Sequence, residues 1–154
     1  MSVRSIRPAP RGVAAVSSVQ SSPYLYVVLR VVPRVEREEF INAGIALFSR
    51  PRRFLGVRVH LDRARLRALD AACDGALVGA YLDGIAAVAA GDPDAGPMAS
   101  LDLSERFHWI AAPSNTIIQP SPVHTGVTAD PAGTLDRLFR DLVASPATGG
   151  QAHR

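Results

Sequence analysis

The feature that most limits how this chain can fold is a succession of three β-strand patterns in its first half. Runs rich in β-branched and aromatic residues span 24–32, 41–48 and 54–61, and turn-forming residues separate the second from the third. In the first run both alternating sets of side chains are apolar, which is typical of a central strand. The three runs therefore predict an antiparallel meander.

Helical patterns follow these strands and predict an α+β domain. The predicted N-caps are acidic or hydroxyl residues, namely Asp62, Asp102 or Ser104, and Asp130. One further helical segment carries an apolar stripe that predicts a buried, closely packed helix: Leu77, Tyr81, Ile85 and Val88. A short strand over 116–119 completes an antiparallel sheet of three to four strands. We expect helices to cover mainly one face of this sheet.

Length and composition predict one domain with short tails. The chain has 154 residues, and its 47% hydrophobic content excludes disordered and fibrous classes. We assign residues 23–144 to a single α+β domain, 1–22 to a flexible basic tail and 145–154 to a flexible C-terminal tail. One cysteine cannot form an intrachain disulfide, and no apolar run approaches the ~20 residues that cross a bilayer. These features predict a cytoplasmic protein without a membrane anchor.

Charge is distributed unevenly along the chain. All 17 basic residues are arginines, and the formal net charge is only +3. Residues 30–67 contain ten arginines and four acids, whereas residues 68–105 contain seven acids and no base. An asymmetry of this kind can orient the encounter with a partner.

The arginines of the sheet region are candidates for binding phosphate groups, since guanidinium forks match phosphate oxygens. This set supports a nucleic-acid-binding hypothesis, against which the low net charge and the absence of interleaved aromatic residues argue. The alternative is that they are solvated turn residues or that they pair with neighbouring acids such as Glu36 and Glu39. The basic candidates are Arg30, Arg34, Arg37, Arg50, Arg52 and Arg53.

The segment 106–126 is the strongest candidate for a functional surface. Two prolines restrict the backbone on either side of Ser121, so polar side chains there lose little freedom on binding. Ser121 with His124 supplies two members of a nucleophilic triad, which supports a small-enzyme hypothesis. No ligand spacing predicts a metal or cofactor site. The candidates here, together with the strand amide of Asn42, are Arg106, His108, Trp109, Gln119, Ser121, His124 and Thr125.

Two long motifs, VPRVEREEFINAG and QPSPVHTG, resemble those of the bacterial domain-of-unknown-function family 3037. The resemblance covers about residues 24–143 and carries no catalytic residue across. Members of that family are often encoded beside a HipA-like serine/threonine kinase, so the resemblance implies such a kinase as a protein partner.

We therefore expect a non-enzymatic binding or regulatory module. It docks on a protein partner through the proline segment and the basic edge of the sheet. Nucleic-acid binding by the arginine-rich turns and a small enzyme around the proline segment are the alternatives. The oligomeric state stays open at this stage.

Overall fold

A computed structural model describes residues 21–144 and confirms an α+β fold. The predicted meander is present as its first three strands. The five strands are β1 (Ser22–Val31), β2 (Ile41–Ser49), β3 (Phe54–Val59), β4 (Ile118–Pro120) and β5 (His124–Thr128). The four α-helices are α1 (Arg63–Leu69), α2 (Gly75–Ala90), α3 (Leu103–Ala111) and α4 (Pro131–Leu142). The predicted tails fall almost wholly on residues 1–20 and 145–154, which lie outside the described part.

The sheet is antiparallel throughout and β1 is its central strand. β2 pairs with one edge of β1 and with β3 on its far side. The other edge of β1 is shared, because β4 pairs with residues 29–31 and β5 with residues 22–26. The strand predicted over 116–119 is therefore present, shifted by one to two residues.

β5 was not predicted, and the sheet has five strands where three to four were expected. Its sequence, HTGVT, has no clear apolar alternation, so the strand owes its place to pairing with β1. Gly126 lies opposite Tyr24, and a Cβ at that position would approach the Tyr24 hydroxyl to 2.5 Å. The close approach of β5 to the Tyr24 ring thus depends on the glycine.

Helices cover both faces of the sheet, which corrects the expectation of mainly one covered face. On one face, Val27, Leu29 and Val31 pack with residues from α1, α2 and α3. On the other face, the α4 helix packs on the sheet through one apolar stripe: Leu135, Leu138 and Phe139. The two apolar sets of β1 are thus both buried, and this requires a helical layer on each side.

Aspartate side chains begin all four α-helices by accepting a hydrogen bond from the backbone of the third helical residue. The caps at Asp62, Asp102 and Asp130 agree with the sequence prediction, and Asp74 caps α2. Pro131 occupies the first position of α4, where the missing N–H costs no helical hydrogen bond. Local sequence therefore determines where each helix starts.

The orientation of α2 differs from the prediction. The side chains buried against the sheet are those of Val78, Leu82 and Val88, whereas Leu77 and Tyr81 are 48% and 50% exposed. Almost every position of α2 is apolar or small, so the sequence contains two competing stripes and does not select between them. The helix consequently presents an apolar surface outward.

Candidate functional site

An open apolar cleft lies between α2, α3 and the segment that leads into β4. Its volume is about 840 Å³, within the range of ligand-binding sites. The floor includes Leu29 of the central strand and Ile118 of β4. Two of the three prolines in the segment singled out from the sequence, Pro113 and Pro120, also line the cleft. Much of the predicted functional surface, between residues 109 and 120, thus lines the cleft.

Two aromatic side chains and one glycine shape the walls of the cleft. Tyr81 of α2 is 50% exposed and Trp109 of α3 is 42% exposed. Gly84 lies one turn after Tyr81, and a Cβ built there would meet no atom within 4 Å. A larger residue at this position would therefore fill space in the cleft. Glycine also lowers the stability of an exposed helix interior by roughly 0.5–1 kcal/mol relative to alanine.

Among the residues that the structure describes, none of those lining the cleft is charged. Its polar groups are the backbone and the side chains of Tyr81, Trp109, Ser114 and Thr116, and the last two hydrogen-bond to each other at 2.8 Å. General acid–base chemistry requires a titratable group within reach of the reacting atoms, and the lining offers no carboxylate or imidazole. The cleft is suited to binding an apolar or aromatic group.

Ser121 is buried and has a structural role between β4 and β5. Its N–H donates to the Val28 carbonyl, and the Val28 N–H donates to Ser121 Oγ, both at 2.8 Å. The hydroxyl in turn donates to the Pro122 carbonyl at 2.9 Å. The Ser121 side chain thus takes the place of a backbone carbonyl in the ladder, and its oxygen is fully engaged rather than presented as a nucleophile.

The remaining polar residues of the proline segment occupy separate positions around β1. His124 is exposed and stacks on Tyr26, with ring centroids 5.0 Å apart. Thr125 is exposed opposite Leu25 in the ladder. The side-chain amide of Gln119 donates to the Thr116 carbonyl at 2.9 Å. None of these side chains lines the cleft.

Arg106 and His108 of α3 are also engaged in local contacts. The Arg106 guanidinium donates to the Ala89 carbonyl at the end of α2, at 2.8 Å, and to the Leu101 carbonyl just before α3, at 2.9 Å. His108 Nδ1 lies 2.7 Å from the Ser104 carbonyl. The structure therefore brings Trp109 to the cleft but does not assemble Arg106, His108, Ser121 and His124 around it.

Two of the candidate arginines form local ion pairs on the loop between β1 and β2. Arg34 contacts Glu36 at 3.1 Å, and Arg37 contacts Glu39 at 2.7 Å. The hydrogen bond from Arg37 lowers the pKa of the Glu39 carboxyl. The pKa of Glu36 is also lowered, first by a backbone hydrogen bond and then by Arg34. Mutual pairing of these charges, one of the alternatives considered from the sequence, is thus present.

The turn between β2 and β3 holds the other three basic candidates. Arg50 donates to Ser104 Oγ at 3.0 Å, and Arg52 donates to Ser22 Oγ at 2.9 Å. Arg53 has a positive φ of 51°, which L-residues adopt at a cost. Arg50 and Arg53 line a shallow depression of about 470 Å³ together with Asp102. The carboxylate reduces the positive potential that a phosphate would encounter there.

Arg30 and Asn42 are opposite each other in the ladder between β1 and β2. The guanidinium of Arg30 lies over the Phe40 ring at 4.3 Å, and its buried Nε has no hydrogen-bond partner. The Asn42 amide donates to the Leu142 carbonyl at 3.0 Å. Asn42 therefore ties β2 to the C-terminal end of α4, and its amide is used in that structural contact.

Other reactive groups give little indication of chemistry. Burial, and then the carboxylates of Asp70 and Asp74, raise the pKa of the Cys73 thiol, so it is a poor nucleophile at neutral pH. Within residues 21–144, no cluster of three or more histidine, cysteine or acidic side chains is placed to hold a metal ion. No helix in that same range is long and apolar enough to cross a membrane.

The sequence prediction identified Trp109 and the segment around it, but it missed the wall of the cleft that α2 forms, including Tyr81, Gly84 and Ile85. A signal for it was present in α2, where apolar residues occupy more of the helix surface than one sheet face can bury. The excess indicates an outward apolar surface, although it does not say which stripe is exposed.

Comparison with known proteins gives one family match. The model of the family described as "Protein of unknown function (DUF3037)" matches residues 26–143, which is most of the chain. No curated protein and no solved structure matches the chain.

Proposed function

The chain belongs to the DUF3037 family, and on that premise we propose that it is a protein-binding module whose apolar cleft receives an extended, proline-containing segment of a partner. The observation that carries the proposal is the pair of half-exposed aromatic side chains, Tyr81 and Trp109, in the walls of an uncharged cleft. Grooves lined by aromatic side chains are a recurring means of binding proline-rich segments.

A proline-rich segment is suited to this cleft because it is already extended before it binds. It loses little conformational entropy on docking, and its rings pack on the flat faces of tyrosine and tryptophan. The space at Gly84 allows such a segment to approach the helix backbone. The hydroxyl oxygens of Ser114 and Thr116, which hydrogen-bond to each other, each keep a lone pair that can accept a hydrogen bond from a peptide N–H at one side of the cleft.

The first partner to test is a HipA-like kinase, the protein that the family resemblance implies. Among residues 21–144, the lining of the cleft holds no carboxylate, imidazole or thiol, which supports binding rather than catalysis. The local ion pairs of Arg34 and Arg37 leave fewer free cations on the basic edge, which favours the cleft over nucleic-acid binding.

Two glycines of α2 provide a matched experiment. Gly84→Leu places a side chain in the cleft, whereas Gly79→Leu adds the same side chain to the same helix at a position that does not line the cleft. A Cβ at either position meets no atom within 4 Å, so both variants are expected to fold. In calorimetric titrations with the kinase, Gly84→Leu should weaken binding by about tenfold or more, equivalent to about 1.4 kcal/mol. Gly79→Leu should bind as the parent chain does.

Equal affinities for the two variants would exclude the cleft as the docking site. Retention of nucleic acid that is lost in Arg50→Ala/Arg53→Ala, and that falls with salt, would instead support the nucleic-acid alternative. Trp109 is the only tryptophan, so its fluorescence reports directly on occupation of the cleft.

A further inference from the structure

We propose that Arg30 of β1, stacked on Phe40, is a binding site for a carboxylate group supplied by another molecule. The site lies on the opposite face of the sheet from the cleft, because Leu29 lines the cleft and successive residues of a strand point to opposite faces. The inference is therefore independent of the proposed function.

Strand pairing places Arg30 where α4 ends. Val28, two residues earlier on the same face, packs in the cluster that includes Leu138 of α4. Asn42, opposite Arg30 in the ladder, donates to the carbonyl of Leu142 at the C-terminal end of that helix. The Arg30 side chain therefore lies at the margin of the surface that α4 covers, and it is partly buried.

The guanidinium of Arg30 is held in position but lacks an acceptor. The Phe40 ring covers one of its faces, with 4.3 Å between the guanidinium carbon and the ring centroid. The Nε atom is buried without a hydrogen-bond partner, whereas neither terminal nitrogen is among the buried unpartnered atoms of the described residues, so both reach solvent. Two parallel N–H groups of a guanidinium match the two oxygens of a carboxylate.

Arg58 shows how the same arrangement is completed elsewhere on this face. Its guanidinium lies over the Phe139 ring at 4.4 Å and also contacts the Asp136 carboxylate at 2.7 Å. Arg30 has the ring, but no carboxylate within residues 21–144 pairs with it. Arg30 is also less exposed than Arg58, so leaving its charge without an anion is more costly. The missing group is therefore one that a second molecule brings.

The surroundings favour a carboxylate on an apolar body. The Phe40 ring is 43% exposed and offers apolar surface beside the charge. Gln119, opposite Arg30 on β4, donates one amide hydrogen to the Thr116 carbonyl and keeps a second one that can bind the same ligand. The single positive charge of Arg30 matches a carboxylate better than a phosphate group, which carries about −1.5 to −2.

NMR spectroscopy of the ¹⁵N-labelled full-length chain tests the proposal, with benzoate as the probe and benzamide as its uncharged counterpart. The Nε–H signal of Arg30 is identified by its absence in Arg30→Gln. It should shift saturably with benzoate and stay in place with benzamide. The Nε–H signal of Arg58 should not move, because that guanidinium already has the Asp136 carboxylate.

Two variants separate the geometry of the site from its charge. Arg30→Lys keeps the positive charge but loses the planar fork, so it should weaken benzoate binding by about tenfold, read from the backbone amide signal of Phe40. Arg58→Gln is the matched control, since it removes the other ring-stacked arginine of this face and should bind benzoate as the parent chain does. Equal affinities of Arg30→Lys and the parent would overturn the assignment to the guanidinium.

A short peptide with one glutamate between leucines, compared with its glutamine counterpart, distinguishes two sources of the carboxylate. Tighter binding of the glutamate peptide than of benzoate would assign the site to an acidic side chain of a protein partner, and the reverse order to a free organic acid. Inorganic phosphate that binds more tightly than either would overturn the choice of carboxylate. No shift of the Arg30 signal with benzoate or with the peptide would overturn the whole proposal.

Discussion

The two faces of the sheet differ in how completely helices close them. On the α4 side, one amphipathic helix directs its apolar stripe onto the strands, and the side chains of Leu135, Leu138 and Phe139 are all less than 10% exposed. On the other side, α2 has apolar residues around most of its circumference and leaves Tyr81 half exposed. A helix with more apolar surface than the sheet can cover leaves the remainder for another molecule.

The largest effect expected from this comparison concerns Phe139. Phe139→Ala removes a buried ring from the closed face and should lower the free energy of unfolding by about 3–5 kcal/mol. Tyr81→Ala on the open face should cost less than about 1 kcal/mol, since half of that side chain is already in water. Urea unfolding of both variants measures the difference. Equal losses would show that α2 is as tightly packed as α4.

Ser121→Ala tests the joint between β4 and β5. The substitution leaves the buried N–H of Val28 without an acceptor and should destabilise the fold by about 1–3 kcal/mol. Ser114→Ala, at an exposed residue of the cleft, should change stability by less than about 0.5 kcal/mol. A Ser121→Ala chain as stable as the parent would show that the hydroxyl is dispensable there and would return it to consideration as a reactive group.

Arg58 shows which contacts stabilise the packing of α4 on the sheet. Its guanidinium lies over the Phe139 ring at 4.4 Å and contacts Asp136 at 2.7 Å. Arg58→Ala removes both contacts and should cost about 1 kcal/mol, whereas Asp136→Ala removes only the exposed ion pair and should cost roughly 0–0.5 kcal/mol. Thermal or urea unfolding distinguishes the two. A larger loss for Asp136→Ala would assign the main contribution to the ion pair.

The smallest expected effects are gains in folding stability from substitutions in α2, on the side of the sheet that carries the cleft. Gly79→Ala and Gly84→Ala should each stabilise the fold by about 0.5–1 kcal/mol, because a Cβ there meets open space and alanine favours the helix. Gly44→Ala in strand β2 is the control: a Cβ there would lie 3.0 Å from the Arg58 carbonyl oxygen, so this variant should be less stable than the parent chain. Loss of stability in the two helix variants would mean that α2 is covered at these positions.

Much of the fold could be predicted from local sequence, and the predictions that were wrong share one cause. Alternation predicted the meander, and aspartate caps predicted the starts of three helices. Asp136 of α4 pairs with Arg58 of β3, a tertiary neighbour that spacing along the helix does not indicate. β5 and the orientation of α2 likewise depend on contacts with distant segments. Neither is encoded in a periodic pattern.

The candidate site was predictable only in part. Trp109 and the proline segment attracted notice through residue type, but Ser121 is buried in the ladder and Arg106 binds helix-terminal carbonyls. Residue chemistry identifies groups able to react or bind, whereas only the packing shows which of them are already satisfied. The cleft needed three separate segments of the chain to come together.

The prolines on either side of Ser121 have one more consequence. Neither Pro120 nor Pro122 has an N–H group, and Ser121 directs its own N–H toward Val28. This stretch of the sheet margin therefore lacks the outward-facing donors that another extended chain would need to extend the sheet. Edge-to-edge pairing of two sheets is therefore disfavoured here, and a partner that binds at this margin has to be recognised through its side chains.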